Sequence, residues 1–428
     1  MVIHVVKSGD TFSSIGKQYG ESPAQIARDN ALALDAALVV GQTVVVLFPN
    51  IVHETSAGET LTGIAAKYGV SVNEIYRNNR WLMGRPDFKA GETLVITYVR
   101  KSLGSAAFNG YAYPFIDRSL LAGELPYLTN LTPFTYGISD NGDLVQLSDG
   151  ELVALAKKYS TAPLMHLSTL TESGNFSSER AVTLLNDAGM QEKLIGEIVA
   201  NIEAKGYSGL DIDFEFIPGT EAEKYAAFVA AARARLSPLG KSVTVALAPK
   251  TSANQPGLLY EGHNYSLLGA AADYVFLMTY EWGYTYGEPM AVAPLPNVRA
   301  VINYAITEIP PEKIFLGIPN YGYDWPLPYK KGVTRAQSIS NERAVQIAAE
   351  NGATIEFDEK AVSPYFYYTD GDGTAHAVWF EDARSMEAKL KLISEYSLMG
   401  AGYWNLDRPF PQNWLVLNDM YDVKKQAE

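Results

Sequence analysis

Cysteine is absent from the 428 residues, and the five histidines (His4, His53, His166, His263 and His376) stand far apart. Disulfides and thiolate metal sites are excluded on that ground, and neither a structural metal nor a cofactor is expected. Long apolar runs are missing too, since no stretch approaches the ~18 residues of a membrane helix. The opening MVIHVVKSGD has neither the basic start nor the apolar block of a secretory signal, so export by that route is not expected. Nor does either part of the chain carry a net excess of positive charge. Residues 1–100 hold nine basic and nine acidic side chains, so the whole formal charge of −14 lies in residues 101–428. That balance disfavours nucleic acid or an anionic membrane as a partner. What is present, 47% hydrophobic and 11% aromatic residues, suffices for a large core in two or more domains.

The first hundred residues contain an internal repeat. HVVKSGDTFSSIGKQYG from His4 aligns with HETSAGETLTGIAAKYG from His53, and His, Gly, an acid, Thr, Ile, Tyr and Gly recur at an offset of 49. Downstream, PAQIARDN matches VNEIYRNN and VGQTVVV matches AGETLVI. Each copy reads as a strand, a Gly-acid-Thr turn able to cap a helix, two amphipathic helices and a closing strand. The module resembles LysM, a family whose members bind glycans containing N-acetylglucosamine. The resemblance places Asn78, Asn79 and the loops after Gly9 and Gly58 along a shallow sugar groove. Pro49 and Asn50 are expected to form a very short linker between copies at residues 1–48 and 51–98. Two tandem copies imply avidity for a repeating polymer.

From about Ser105 the pattern changes to short apolar runs alternating with helical stretches. Candidate strands begin at Phe108, Asn130, Pro163, Gly209, Val243, Tyr274, Ile314 and Gly400. Strands alternating with amphipathic segments such as EKLIGEIVANIEAKG imply parallel βαβ units. Eight of them over residues 102–428 fit an α/β fold, a (β/α)8 TIM barrel, with residues to spare. A doubly wound open sheet would want a Gly-rich phosphate loop after its first strand, and there is none. The surplus falls between strands seven and eight, about residues 333–380, where a helix and a hairpin around DGDGT read as a small α+β insertion.

The stretch GLDIDFEFIP carries the chemistry. On a strand, Asp211, Asp213 and Glu215 share one face while Leu210, Ile212, Phe214 and Phe216 share the other. In a barrel the apolar set faces the helices and the acids face the interior, with Glu215 nearest the C-terminal mouth. Three carboxylates in a partly dry interior cannot all ionise, so at least one proton is held, and a proton-holding Glu at the mouth is a general acid. A divalent-cation site built from the same acids is the other reading, although only one strand visibly supplies ligands.

SGLDIDFE resembles the D-x-x-D-x-D-x-E signature of glycoside hydrolase family 18, the chitinase-like barrels. LMTYEW from Leu277 and GYWNLD from Gly402 resemble that family's sixth- and eighth-strand segments. Three residues depart from the pattern: Ser208 stands for the first Asp, Phe214 for Trp and Glu281 for the sixth-strand Asp. The resemblance implies substrate-assisted retention, an exception to the two-carboxylate scheme. Glu215 would protonate the glycosidic oxygen, Asp213 and Tyr280 would orient the 2-acetamido group, Asp211, in hydrogen-bonding reach of Ser208, would tune Asp213, and Trp404 would stack beneath the sugar. Glu281, Tyr113, Asn320 and Trp282 are further candidates for substrate contact, and Tyr321, Trp325 and Trp379 for the groove walls.

The pairing of two LysM-like repeats with this barrel resembles the spore-cortex-lytic glucosaminidases of endospore formers. It implies a monomeric endo-N-acetylglucosaminidase acting on cortex peptidoglycan or its fragments during germination. The expected location is the coat or cortex region of the spore, reached without a signal peptide. A chitinase, or a silent glycan-binding barrel, would share most of the same motifs.

Overall fold

A computed structural model describes residues 1–171 and 174–425. In the first repeat β1 (Val2–Val5) pairs antiparallel with β2 (Thr43–Val46), and helices Phe12–Tyr19 and Pro23–Asp29 lie between them. In the second, β3 (Pro49–Glu54) pairs with β4 (Thr93–Tyr98) around helices Leu61–Tyr68 and Val72–Asn78. Pro49 and Asn50, expected as a linker, are the first residues of β3, so the copies abut with almost no free chain. The recurring residues form one physical unit in each copy. His4 bridges the Tyr19 hydroxyl (3.1 Å) and the Asp10 carboxylate (3.0 Å), as His53 bridges Tyr68 (3.1 Å) and Glu59 (2.9 Å). The acid also accepts the backbone N–H three residues earlier, which fixes the turn, and Thr11 or Thr60 caps the helix that follows.

The catalytic-size domain opens with β5 (Ser105–Ala112) and β6 (Asn130–Pro133), followed by a small hairpin of β7 (Gly137–Ile138) and β8 (Leu144–Val145). Next come β9 (Ala162–Ser168), β10 (Gly209–Asp213), β11 (Ser242–Leu247), β12 (Tyr274–Leu277) and β13 (Ile314–Pro319). An antiparallel sheet then intervenes: β14 (Gly322–Pro326), β15 (Gln337–Ile339), β16 (Glu356–Asp358), β17 (Ser363–Thr369) and β18 (Ala375–Trp379). The chain returns through β19 (Gly400–Trp404) and ends with β20 (Asp422–Val423), which adds to the edge of β5.

Eight parallel strands in the order β19-β13-β12-β11-β10-β9-β6-β5 close through a β19–β5 pairing into a TIM barrel. Each candidate strand is present, but two stop three or more residues short of the ends of their apolar runs. The run from Asn130 to Ile138 stops at Pro133 and turns into the β7–β8 hairpin, and the run from Tyr274 stops at Leu277. Among the described residues no helix is long and apolar enough to cross a membrane.

The repeats are built into this body. Val39 of the first repeat joins the apolar core of the inserted sheet with Ile347, Phe366 and Val378, and Ile355 N–H donates to Val40 O at 2.9 Å. Gly41 beside it has φ +87°, and a Cβ there would collide with the carbonyl oxygen of Ile355, so only glycine fits. Arg77 of the second repeat, buried, donates to Asn418 Oδ1 (3.2 Å) and Pro126 O (3.1 Å), while the Tyr127 hydroxyl donates to Arg77 O (2.7 Å).

Two groove residues implied by the LysM resemblance turn inward. Asn79 is fully buried: its amide donates to Ile75 O and Val95 O, and its oxygen accepts Val95 N–H. Asn78 donates to Ile96 O and accepts from Asn418 Nδ2 of the barrel's last helix. Asn79 is a structural staple, pinned against the closing strand with no solvent face, while Asn78 is half-buried and held by Asn418.

Candidate active site

Strand β10 brings the acids to the barrel interior as its period of two requires. Phe214, on the opposite face, stacks on Tyr225 and Phe228 of the outer helix Ala222–Leu236 at 5.5 and 5.6 Å. The alternation stops there: β10 ends at Asp213, and Phe216 adopts φ +56°, so its outward orientation no longer follows from strand geometry. Glu215 lies two residues past the strand, at the mouth.

Asp211 is inaccessible to solvent, and its Oδ2 accepts a hydrogen bond from the Tyr111 hydroxyl on β5 at 2.9 Å. Its second oxygen and Asp213 Oδ1 are buried without a hydrogen-bond partner. Burial pushes Asp211 up to about 7 against the opposing Tyr111 hydrogen bond. Asp213 is driven well above the carboxylate range by burial, then by the charges of Glu215 and Asp211. Glu215 is raised to about 7 by burial and by the charge of Glu281. The three acids therefore share protons at neutral pH, as a like-charged cluster in a dry site must. Ser208, whose sequence position suggests contact with Asp211, lines a cavity with Thr129, Asn130 and Tyr274 at the start of the strands, and its N–H donates to Pro163 O.

Sequence reasoning passed over His166. It sits on β9 in register with Asp211, 1% exposed, with Nε2 3.6 Å from Asp211 Oδ2 and 3.7 Å from Asp213 Oδ2. Its Nδ1 is 2.7 Å from Thr135 Oγ1. Burial depresses its pKa to about 3, so the ring is neutral. The available signal was a single ionisable residue inside PLMHLS, a strand whose neighbour carries the acids.

Tyr280 and Glu281 follow β12. Tyr280 packs among Tyr111, Phe276 and Trp404, and burial together with the charges of Asp213 and Glu215 raises its hydroxyl well above its usual range. Glu281, at φ +68°, stands on the rim and accepts from the hydroxyls of Tyr321 and of Tyr323 (3.0 Å). Part of its surface is open, yet desolvation by the crowded rim outweighs both hydrogen bonds and raises its pKa. Tyr323, like His166, was not anticipated.

Trp404 ends β19 and meets Phe134 at 4.8 Å, Tyr111 at 5.8 Å and Tyr113 at 6.1 Å. Tyr113 stacks at 5.1 Å on Phe115, which is 78% exposed and extends this aromatic wall outward. Asn320 is buried, and its amide donates to Asn405 O and Arg408 O, tying down the loop behind Trp404. Trp282 is half-buried against the main core. Trp325 is fully buried with its Nε1 on Gly287 O, which removes it from the groove wall, whereas Trp379 is half-buried and stacks on Tyr365 at 4.7 Å.

A barrel with acids at successive inward positions, an aromatic floor and an inserted wall is equipped for proton transfer to a sugar. Comparison with known proteins agrees. Residues 138–408 match the family described as Glycosyl hydrolases family 18, and residues 4–46 and 53–97 match the LysM domain. The chain is 43% identical to the cortical fragment-lytic enzyme of Bacillus subtilis across all of both chains. The crystal structure of the Bacillus cereus spore cortex-lytic enzyme SleL superposes with a TM-score of 0.85 at 34% identity, covering 100% of this chain and 99% of that one. Its Bacillus megaterium counterpart gives 0.83 at 36%, covering 99% of each. With matches of this extent, the chain belongs to family 18 of the glycosyl hydrolases and carries two LysM domains ahead of its barrel.

Proposed function

We propose that this protein is a monomeric endo-N-acetylglucosaminidase of the spore cortex, cutting peptidoglycan or its fragments during germination. Residues 1–48 and 51–98 serve as glycan-binding modules and residues 102–428 as the hydrolase. The observation that carries the chemistry is Glu215: a carboxyl held protonated near neutral pH at the mouth of the barrel, backed by two further acids. It donates its proton to the glycosidic oxygen as the bond breaks and afterwards takes one from the attacking water.

Asp213 and Tyr280 flank the position of the 2-acetamido group. Asp213 accepts from the acetamide N–H, the Tyr280 hydroxyl donates to its carbonyl oxygen, and that oxygen attacks the anomeric carbon. Asp211, held by the Tyr111 hydroxyl, raises the proton affinity of Asp213 through its charge, and Trp404 packs under the sugar face. Relatives named for cortex lysis, similar over the full length including both LysM domains, support the choice of cortex peptidoglycan as substrate.

The test is mass spectrometry of cortex peptidoglycan, first opened with a muramidase, after incubation with wild type and with Glu215→Gln. New reducing-end N-acetylglucosamine appearing only with wild type is the expected result. Release of chitobiose from chitin oligomers with no cleavage of cortex fragments would overturn the substrate, and comparable activity in Glu215→Gln would overturn the acid.

A further inference from the structure

His166 is buried against the two acids that have no open face of their own, and its proton position follows from its surroundings. The Thr135 hydroxyl lies 2.8 Å from Tyr136 O, a group that can only accept. Given to that carbonyl, which also accepts Ser168 N–H at 3.0 Å, the Thr135 proton leaves lone pairs facing His166 Nδ1 at 2.7 Å and Ser168 Oγ at 2.9 Å. Ser168 Oγ already accepts Leu170 N–H at 3.2 Å, which leaves its own proton for Thr135. Every donor then meets an acceptor if Nδ1 carries the imidazole hydrogen and Nε2 is bare.

A bare Nε2 equidistant from Asp211 Oδ2 and Asp213 Oδ2 repels two carboxylates and attracts a carboxylic acid. The other groups around this triangle are Tyr111 from β5, Phe134 and Thr135 after β6, Ser168 on β9, Glu215 beyond β10, Tyr225 of the outer helix, and Tyr280 with Glu281 after β12. Among the described residues no lysine or arginine contributes to the shift of Asp211, Asp213 or Glu215, so a proton alone can offset their charge. Yet an Asp213 that accepts the acetamide N–H beside a developing positive charge acts best as a carboxylate.

We infer that His166 is a positioning residue of the reaction, taking up the proton that Asp213 releases when substrate binds and returning it when product leaves. In the step, the Asp213 Oδ2–H bond breaks and a His166 Nε2–H bond forms, leaving an imidazolium between two carboxylates; no other reactant is needed. The inference rests on the substrate-assisted reading above.

Two measurements on the full-length protein test it. Nitrogen-15 spectra of histidine-labelled enzyme should show His166 neutral with hydrogen on Nδ1 from pH 5 to 8; hydrogen on Nε2, or titration near 6.5, would overturn the assignment. In kinetics on muramidase-opened cortex fragments, His166→Gln should lose about 10- to 100-fold in kcat with KM nearly unchanged. The acid limb of its kcat profile should move to higher pH while the alkaline limb stays, because Asp213 then keeps its proton longer. A uniform loss at every pH would make His166 a packing residue only. Absence of new reducing-end N-acetylglucosamine with wild type would instead reject the reading beneath it, and the labelled spectra would still decide the tautomer.

Discussion

Glu281 adds its charge to burial in holding the proton on Glu215. The two stand after different barrel strands, and the charge of Glu281 adds to burial in lifting Glu215 to about 7. Activity that needs protonated Glu215 therefore declines as pH rises through 7. Glu281→Gln removes the charge while leaving an oxygen to accept from Tyr321 and Tyr323, so the alkaline limb of kcat/KM should move to lower pH by roughly half a unit to one unit. A limb that stays in place, read from a pH profile on soluble cortex fragments, would separate the two residues.

Glu124 makes the stability of the fold depend on pH. It is fully buried, accepts from Trp414 Nε1 at 3.2 Å, and has a second oxygen without a hydrogen-bond partner. Burial raises it to about 8, with Arg80 opposing. Since the folded value lies above the unfolded one near 4.3, its contribution is complete below about pH 4 and is lost as pH climbs toward 8. Glu124→Gln should match wild type in Tm at pH 4 and exceed it by roughly 5 °C at pH 8, as read by calorimetry.

Arg77 fastens the second LysM domain to the barrel. Arg77→Ala leaves Asn418 Oδ1 and Pro126 O without their donor in a dry contact, at a cost of about 2–4 kcal/mol. Thermal unfolding should begin earlier and limited proteolysis should cut near residues 98–104, while kcat on soluble fragments stays close to wild type.

Asn79 distinguishes a staple from a groove residue. Asn79→Ala removes three buried hydrogen bonds, so a loss of about 2–3 kcal/mol in stability is expected. At 10 °C, with the domain folded, affinity for insoluble cortex should be nearly that of wild type. A selective loss of binding with unchanged stability would return Asn79 to the sugar face.

Regular periodicity explains what the sequence discloses here. All eight barrel strands are legible as apolar runs between helical segments, and the inward acids follow from alternation along β10. The ends of those strands are not legible in the same way. Phe216 and Glu281 take left-handed backbone just past β10 and β12, where the loop and not the strand sets direction. His166 and Tyr323 meet their partners only through strand register and the placement of the inserted sheet, which no local pattern encodes. For Asn78 and Asn79 the motif is plain and the partners are not: Asn79 closes on Ile75 and Val95 of its own module, and the barrel residue that holds Asn78 comes from 340 residues away.

Gly41 against Ile355 and Arg77 against Asn418 leave the LysM domains without slack. A tethered anchor lets a blade sweep a circle of bonds around each foothold. Here foothold and blade are one casting, so each seating on the glycan presents a single bond at a fixed offset. On that geometry, letting go of the glycan becomes part of every cut, and a grip that is too firm would slow the enzyme as surely as one that is too weak.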